Sequence, residues 1–107
     1  MEFLNKVEIK GIVGAIRSAE YVPHKTCHNF SVVTEYQSNT KGGPSVIETT
    51  WWGCIAWSDK TPAVVLMEKG DKVHIIGRLR QNRYTTDGIQ THTATEIVVQ
   101  SLEILED

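Results

Sequence analysis

The sequence predicts an all-β domain: five curved strands closing a Greek-key barrel, with one short helix between the third and fourth strands. Three observations carry this. Apolar and polar side chains alternate with period two through most of the chain, and β-branched residues are frequent. Turn signals, Gly42-Gly43-Pro44 and Asp87-Gly88, separate alternating runs. Only Ser58 to Lys69 favours a helical pattern. With 107 residues and no repeat, low-complexity segment or internal linker, residues 1–107 are expected to form one domain.

The first strand is expected from Leu4 to Ile16, with Val7, Ile9 and Val13 on one face and Lys6, Glu8 and Lys10 on the other. Gly11 and Gly14 interrupt it and suggest a bulge or bend. RSAEYVPHKT, punctuated by Pro23, reads as a loop. Cys27 to Tyr36 is the second strand, with Phe30, Val32 and Thr34 alternating against Asn29, Ser31 and Val33. QSNTKGGPS reads as a hairpin loop, and Val46 to Trp57 as the third strand.

The helix is expected to be capped by Ser58 or Asp59, with Pro62 in its first turn, and to run for about two to three turns toward Gly70. Its apolar side, Ala63 to Met67, is enough to plug one end of a barrel. From Lys72, Val73, Ile75, Gly77 and Leu79 alternate with Lys72, His74, Ile76, Arg78, Arg80, Asn82 and Tyr84. Thr91 to Leu105 is the last strand, with Leu102 and Ile104 inward. This β-β-β-α-β-β order describes the OB-fold, whose sheet face and loops bind single-stranded nucleic acid or oligosaccharide. The order does not choose the ligand.

Composition is that of an ordinary soluble domain, and a formal charge of −2 gives no basic excess that would announce nucleic acid. The acids are uneven, since Glu103, Glu106 and Asp107 crowd the last five residues. Any anion-binding surface must therefore be argued from where Arg and Lys sit. Two cysteines, Cys27 and Cys54, make no disulfide framework, and the N-terminus has no apolar h-region. No apolar run approaches the ~18 residues of a membrane span. A cytoplasmic protein without a membrane partner is expected.

All three tryptophans fall in ETTWWGCIAW, Glu48 to Trp57. Parity divides them: Trp51, Gly53, Ile55 and Trp57 share one face, and Trp52, Cys54 and Ala56 share the other. The second set reads as core, whereas the first offers two indoles flanking a glycine. On the fourth strand Lys72, Arg78 and Arg80 line up with Tyr84. Aromatic packing and solvated arginines are the commoner meanings of each residue alone. Together they make a positive track with interleaved rings, which suits an unpaired strand whose bases stack and whose phosphates need cations.

These residues also meet a family. The chain resembles the bacterial single-stranded DNA-binding proteins over nearly its whole length. The likeness runs through Asn5-Lys6-Val7 with Gly11 and Gly14, Phe30-Ser31-Val32-Val33-Thr34, Thr50-Trp51 and Ala56-Trp57. It continues through Lys69-Gly70-Asp71-Lys72-Val73, Gly77-Arg78-Leu79-Arg80 and Thr95-Glu96-Ile97-Val98. The resemblance implies base stacking at four aromatic positions, Tyr36, Trp51, Trp57 and Tyr84. Parity had already singled out the last three, whereas Tyr36 comes from the resemblance alone. Lys72, Arg78 and Arg80, joined by Lys10 and Arg83, are expected to neutralise phosphates.

The chain departs from the family at Trp52, where a His is usual, and at Gly53, where an Arg is common and its loss weakens phosphate contact. It stops at LEILED, where the family continues in a flexible tail whose acidic apolar tip recruits replication and repair proteins. That recruiting role is accordingly not expected of these residues. A plasmid, phage or transposon version, a paralogue and the folded part of a longer chain all stay open. The resemblance also implies a homo-oligomer, a homotetramer or else a homodimer, which patterning alone cannot count.

Three other readings are weaker. His24, Cys27 and His28 in HKTCH are three potential zinc ligands of assorted spacing without a second cluster, so neither metal nor other cofactor is expected. No paired carboxylates or nucleophile-base set suggests an enzyme. An OB-fold adaptor resembling primosomal replication protein N, binding protein partners and single-stranded DNA in replication restart, is the alternative. That family has a reduced aromatic surface, whereas all four places are aromatic here. The expected function is sequence-independent binding and protection of single-stranded DNA during replication, recombination or repair.

Overall fold

Period-two alternation produces five long strands. In the computed structural model, which describes residues 1–22, 25–39, 41–86 and 88–106, β1 spans Val7–Val22, β2 Lys25–Asn39, β3 Ser45–Trp57, β4 Lys72–Thr86 and β5 Gln90–Leu105. They close a barrel in the order β1-β2-β3-β5-β4, and β1 returns to pair with β4. Pairings are antiparallel except between β3 and β5, which meet in parallel at Cys54 opposite Ile97 and Ile55 opposite Val98. Val13, Phe30, Val32, Cys54, Ala56, Val73, Ile75, Ile97, Val99 and Leu102 fill the interior. The five-stranded OB-type barrel is as the sequence predicts.

Three register shifts interrupt the ladders, at Val13/Ile16 and Glu20/Val22 between β1 and β2 and at Ile76/Gly77 between β4 and β5, and bulges of this kind curve a sheet. In β1 the register shifts between Val13 and Ile16, where the sequence places Gly14, and the freed Ala15 N–H donates to Ser31 Oγ at 3.1 Å. In the β4–β5 ladder Ile76 opposes Ser101 but Gly77 opposes Val99, so Gln100 is the extra residue. Gly77 is needed there, because a methyl group on it would lie 2.2 Å from the Val98 carbonyl oxygen.

Three expectations are corrected. The stretch read as a loop from Arg17 continues β1 to Val22, pairing Arg17 with Asn29 and Val22 with Lys25. Its polar residues disguise a ladder that needs no apolar outer face; Pro23 and His24 lie outside the described residues. Gln37, Ser38 and Asn39 likewise extend β2 rather than the hairpin loop, leaving Gly42 at φ +80 for the turn. Thr40, and Asp87 of the predicted Asp-Gly turn, also lie outside the described residues.

The third correction is the helix. It is a five-residue 3-10 turn, Pro62–Leu66, with Thr61 at its N-cap and no side-chain cap bond, instead of a longer helix capped by Ser58 or Asp59. Ser58 Oγ instead accepts the Thr26 N–H at 2.8 Å. Two β-branched valines in five residues favour a helix poorly. The plug is real nonetheless: Val64 and Met67 enter the core, while Val65 and Leu66 remain exposed.

Two ladders outrun the barrel. Beyond the short β3–β5 contact, residues 34–39 pair only with β3, and residues 78–86 only with β5. They form two-stranded arms, one carrying Tyr36 and the other Tyr84, and Trp51 sits at the root of the first, opposite Val33.

Candidate nucleic-acid interface

Strand parity sorts the tryptophans as the sequence predicts. Trp52 turns inward, packs against the core and donates its Nε1–H to Thr34 Oγ1 at 2.8 Å. Trp51 turns outward and is 60% exposed, although the adjoining residues of β3 are ordinary strand. Trp57 is half-buried, with the Lys25 ammonium 5.1 Å from its ring centroid. Lys25 also lies 3.8 Å from the Asp59 carboxylate, so one cation links the ring to the turn that follows β3. Such a cation–ring contact contributes about 0.5–1 kcal/mol at an exposed site.

Register brings the third and fourth strands to one surface. Ile55 lies beside Val98, and Val98 opposes Arg78, so one row crosses β3, β5 and β4. Arg80 opposes Glu96, and Tyr84 opposes His92. Trp57, Lys60, Arg78, Arg80, Val98, Val99 and Gln100 line an open depression of about 320 Å³. Lys60 is a site residue that the strand pattern does not mark. Its only signal in the sequence is a cation three residues beyond Trp57, and the turn at the end of β3 is what folds it back.

The arginines differ. Arg78 is exposed on the rim, whereas Arg80 donates Nε–H to Glu96 Oε1 at 3.0 Å and closes its Nη2 on the same oxygen. The Tyr84 ring is half exposed and stacks on His92, centroids 5.3 Å apart and 26° between planes.

Other expected site residues fall elsewhere. The β2–β3 register is unbroken, pairing Val33 with Trp51 and Tyr36 with Glu48. Tyr36 therefore shares a face with Thr34 and Trp52, opposite to Trp51, and is 67% exposed there. Arg83 opposes Thr93 and shares parity with Leu79, not with Tyr84. Lys72 opposes Ile12 and Lys10 opposes His74 on the β1–β4 wall. Six residue steps along β4 take Lys72 to Arg78, roughly 20 Å. The cations thus form two groups, not one track.

Charge on the wall is mixed. Glu8 bonds His74; that bond, ahead of the charges of His74, Lys6 and Lys10, holds its carboxyl below the usual range. The cysteines are inert thiols: burial, then nearby Glu96, pushes Cys54 up to about 12 and raises Cys27 as well. Of the HKTCH residues, His24 lies outside the described residues, Cys27 is buried, and His28 contacts Ser18 Oγ through Nδ1 at 2.8 Å. No helix among the described residues is long and apolar enough to cross a membrane.

Residues 4–105 match the model of the Single-strand binding protein family. Two curated relatives, the single-stranded DNA-binding proteins of Neisseria meningitidis serogroup A and serogroup B strains, are each 33% identical over 106 residues, covering 95% of this chain. The chain spans 60% of the length of each. Among solved structures, a Plasmodium falciparum SSB complex with ssDNA superposes with a TM-score of 0.85 at 22% identity, over 99% of this chain and 98% of that one. A deletion mutant of the single-stranded DNA binding protein from Thermus aquaticus gives 0.77 at 18% identity, over 96% and 51%. At those identities the two structures show the fold.

Proposed function

The chain belongs to the single-strand binding protein family, and from that premise we propose that residues 1–107 are one domain that binds and protects single-stranded DNA irrespective of its sequence. The observation that carries the reading is the joining of Trp57, Arg78 and Lys60 around one depression, with exposed Trp51 of the same parity farther along β3. Rings there stack bases, each for about 1–3 kcal/mol, and the cations neutralise phosphates.

In this reading Trp51, Trp57 and Tyr84 carry the stacking. Tyr36 and Arg83 meet the strand where it passes around the arms, and Lys10 and Lys72 meet it where it leaves Arg78 along the β1–β4 wall. The protein works as a homo-oligomer, a tetramer or a dimer, in the cytoplasm at the nucleoid, alongside other replication or repair proteins. Titrating labelled oligo(dT) of several lengths against protein of measured mass tests this. Binding that tightens with length and weakens as salt rises is expected. No binding at low salt, or a monomeric mass, refutes the corresponding part.

A further inference from the structure

Glu96 places a carboxylate in the middle of a surface that otherwise suits a polyanion. It sits on β5, next to Val98 by alternation, and opposes Arg80 of β4. Its side chain is only 16% exposed against 38% for Arg80. Both Nε and Nη2 of the guanidinium converge on a single Glu96 oxygen. A charge-assisted, two-pronged contact of this kind is among the stronger hydrogen-bonded pairs, and a half-sheltered one is screened little by salt. Arg78 and Lys60 line the same depression, and among the described residues neither has such a carboxylate partner.

We infer that Glu96 acts as an internal stand-in for a phosphate, holding Arg80 back from DNA and setting the affinity of the surface below what its cation count would give. Arg80 is then a positioning residue that neutralises Glu96, and the phosphates are met by Arg78 and Lys60. This rests on the single-stranded DNA reading above and adds the residue that tunes it.

The test is a salt series of oligo(dT) binding for the wild type, Glu96→Gln, Arg80→Gln and the double variant, with thermal melts to verify folding. Freeing one arginine adds about one phosphate contact, so Glu96→Gln binds more tightly, with a log–log salt slope steeper by about 0.7. Its gain over wild type then shrinks about 2.6-fold between about 50 and 200 mM salt. Arg80→Gln binds more weakly because the carboxylate is left bare. The double variant restores the wild-type slope, because it removes one charge of each sign from a pair that makes no phosphate contact; the steeper slope of Glu96→Gln is what a purely structural ion pair has no reason to give. If Glu96→Gln keeps wild-type affinity and slope, or the double variant loses about 0.7 from the slope as a direct phosphate ligand would, the inference fails. Wild-type protein that does not bind oligo(dT) at low salt refutes the function itself and the inference with it.

Discussion

The indole of Trp51 rests over Gly14: a methyl group at that glycine would lie 2.6 Å from Cζ3 and 3.3 Å from Cη2 of the ring. A residue of β3 thus reaches across β2 to the bulge of β1, and the bulge supplies a seat that no side chain fills. Seating turns an exposed indole into a fixed platform, which lowers the ordering cost of stacking a base on it. Gly14→Ala is expected to unseat Trp51, lowering oligo(dT) affinity several-fold and shifting tryptophan emission. It also costs about 1–3 kcal/mol of stability, as overpacking does. A folded variant with wild-type affinity and emission would show that the seat does not matter.

Opposite faces of β3 predict opposite phenotypes for its neighbouring tryptophans. Trp51→Ala removes an exposed ring and is expected to weaken binding by about 1–3 kcal/mol with little change in melting temperature. Trp52→Ala removes a half-buried ring and its bond to Thr34. Its stability loss should be about 2–3 kcal/mol, below the roughly 3–5 kcal/mol of a fully buried aromatic. Equal binding losses in two folded variants would contradict the face assignment.

Lys60 and Arg78 flank the Trp57 depression, and each is expected to neutralise about one phosphate. Lys60→Gln and Arg78→Gln should each reduce the magnitude of the salt slope by about 0.7. Slopes unchanged in both variants would mean that phosphates pass elsewhere.

The tryptophan faces were legible because β3 is a regular strand, and alternation alone decides where a side chain points on one. What alternation could not give was the partner across the ladder. Arg80 and Glu96 are 16 residues apart, and their contact depends on the β4–β5 register, which a sequence does not display. Tyr36 stands out by resemblance alone. Its parity relative to Trp51 follows only once the β2–β3 register is known. The strand from Arg17 to Val22 carries no apolar period in the sequence, and only its ladder with β2 marks it. The helix is shorter than the sequence suggests because Pro62 and the apolar run mark a start without showing that Met67 already turns extended, at φ −74 and ψ 136.

His28 predicts a pH dependence of stability. It points into the barrel with Nδ1 on the Ser18 hydroxyl and Nε2 buried without a partner among the described residues. Burial holds its pKa below the ordinary 6.5. The unfolded chain therefore binds a proton first as the pH falls below about 6.5, so this contribution to stability is lost with acidification. Above 6.5 both states are neutral and stability is flat. Glu8, whose carboxyl titrates low, adds its own loss only in the more acidic carboxylate range. Melting temperature should decline between about pH 6.5 and 5, and His28→Leu should flatten that decline. An equal decline in the variant would assign it to other groups.

Intrinsic tryptophan fluorescence during an oligo(dT) titration at low salt tests the central claim most directly. Bases stacking on Trp51 and Trp57 predict strong saturable quenching that salt reverses, with most of the Trp51 share lost in Trp51→Ala. Unchanged emission of folded wild-type protein at low salt would contradict the account.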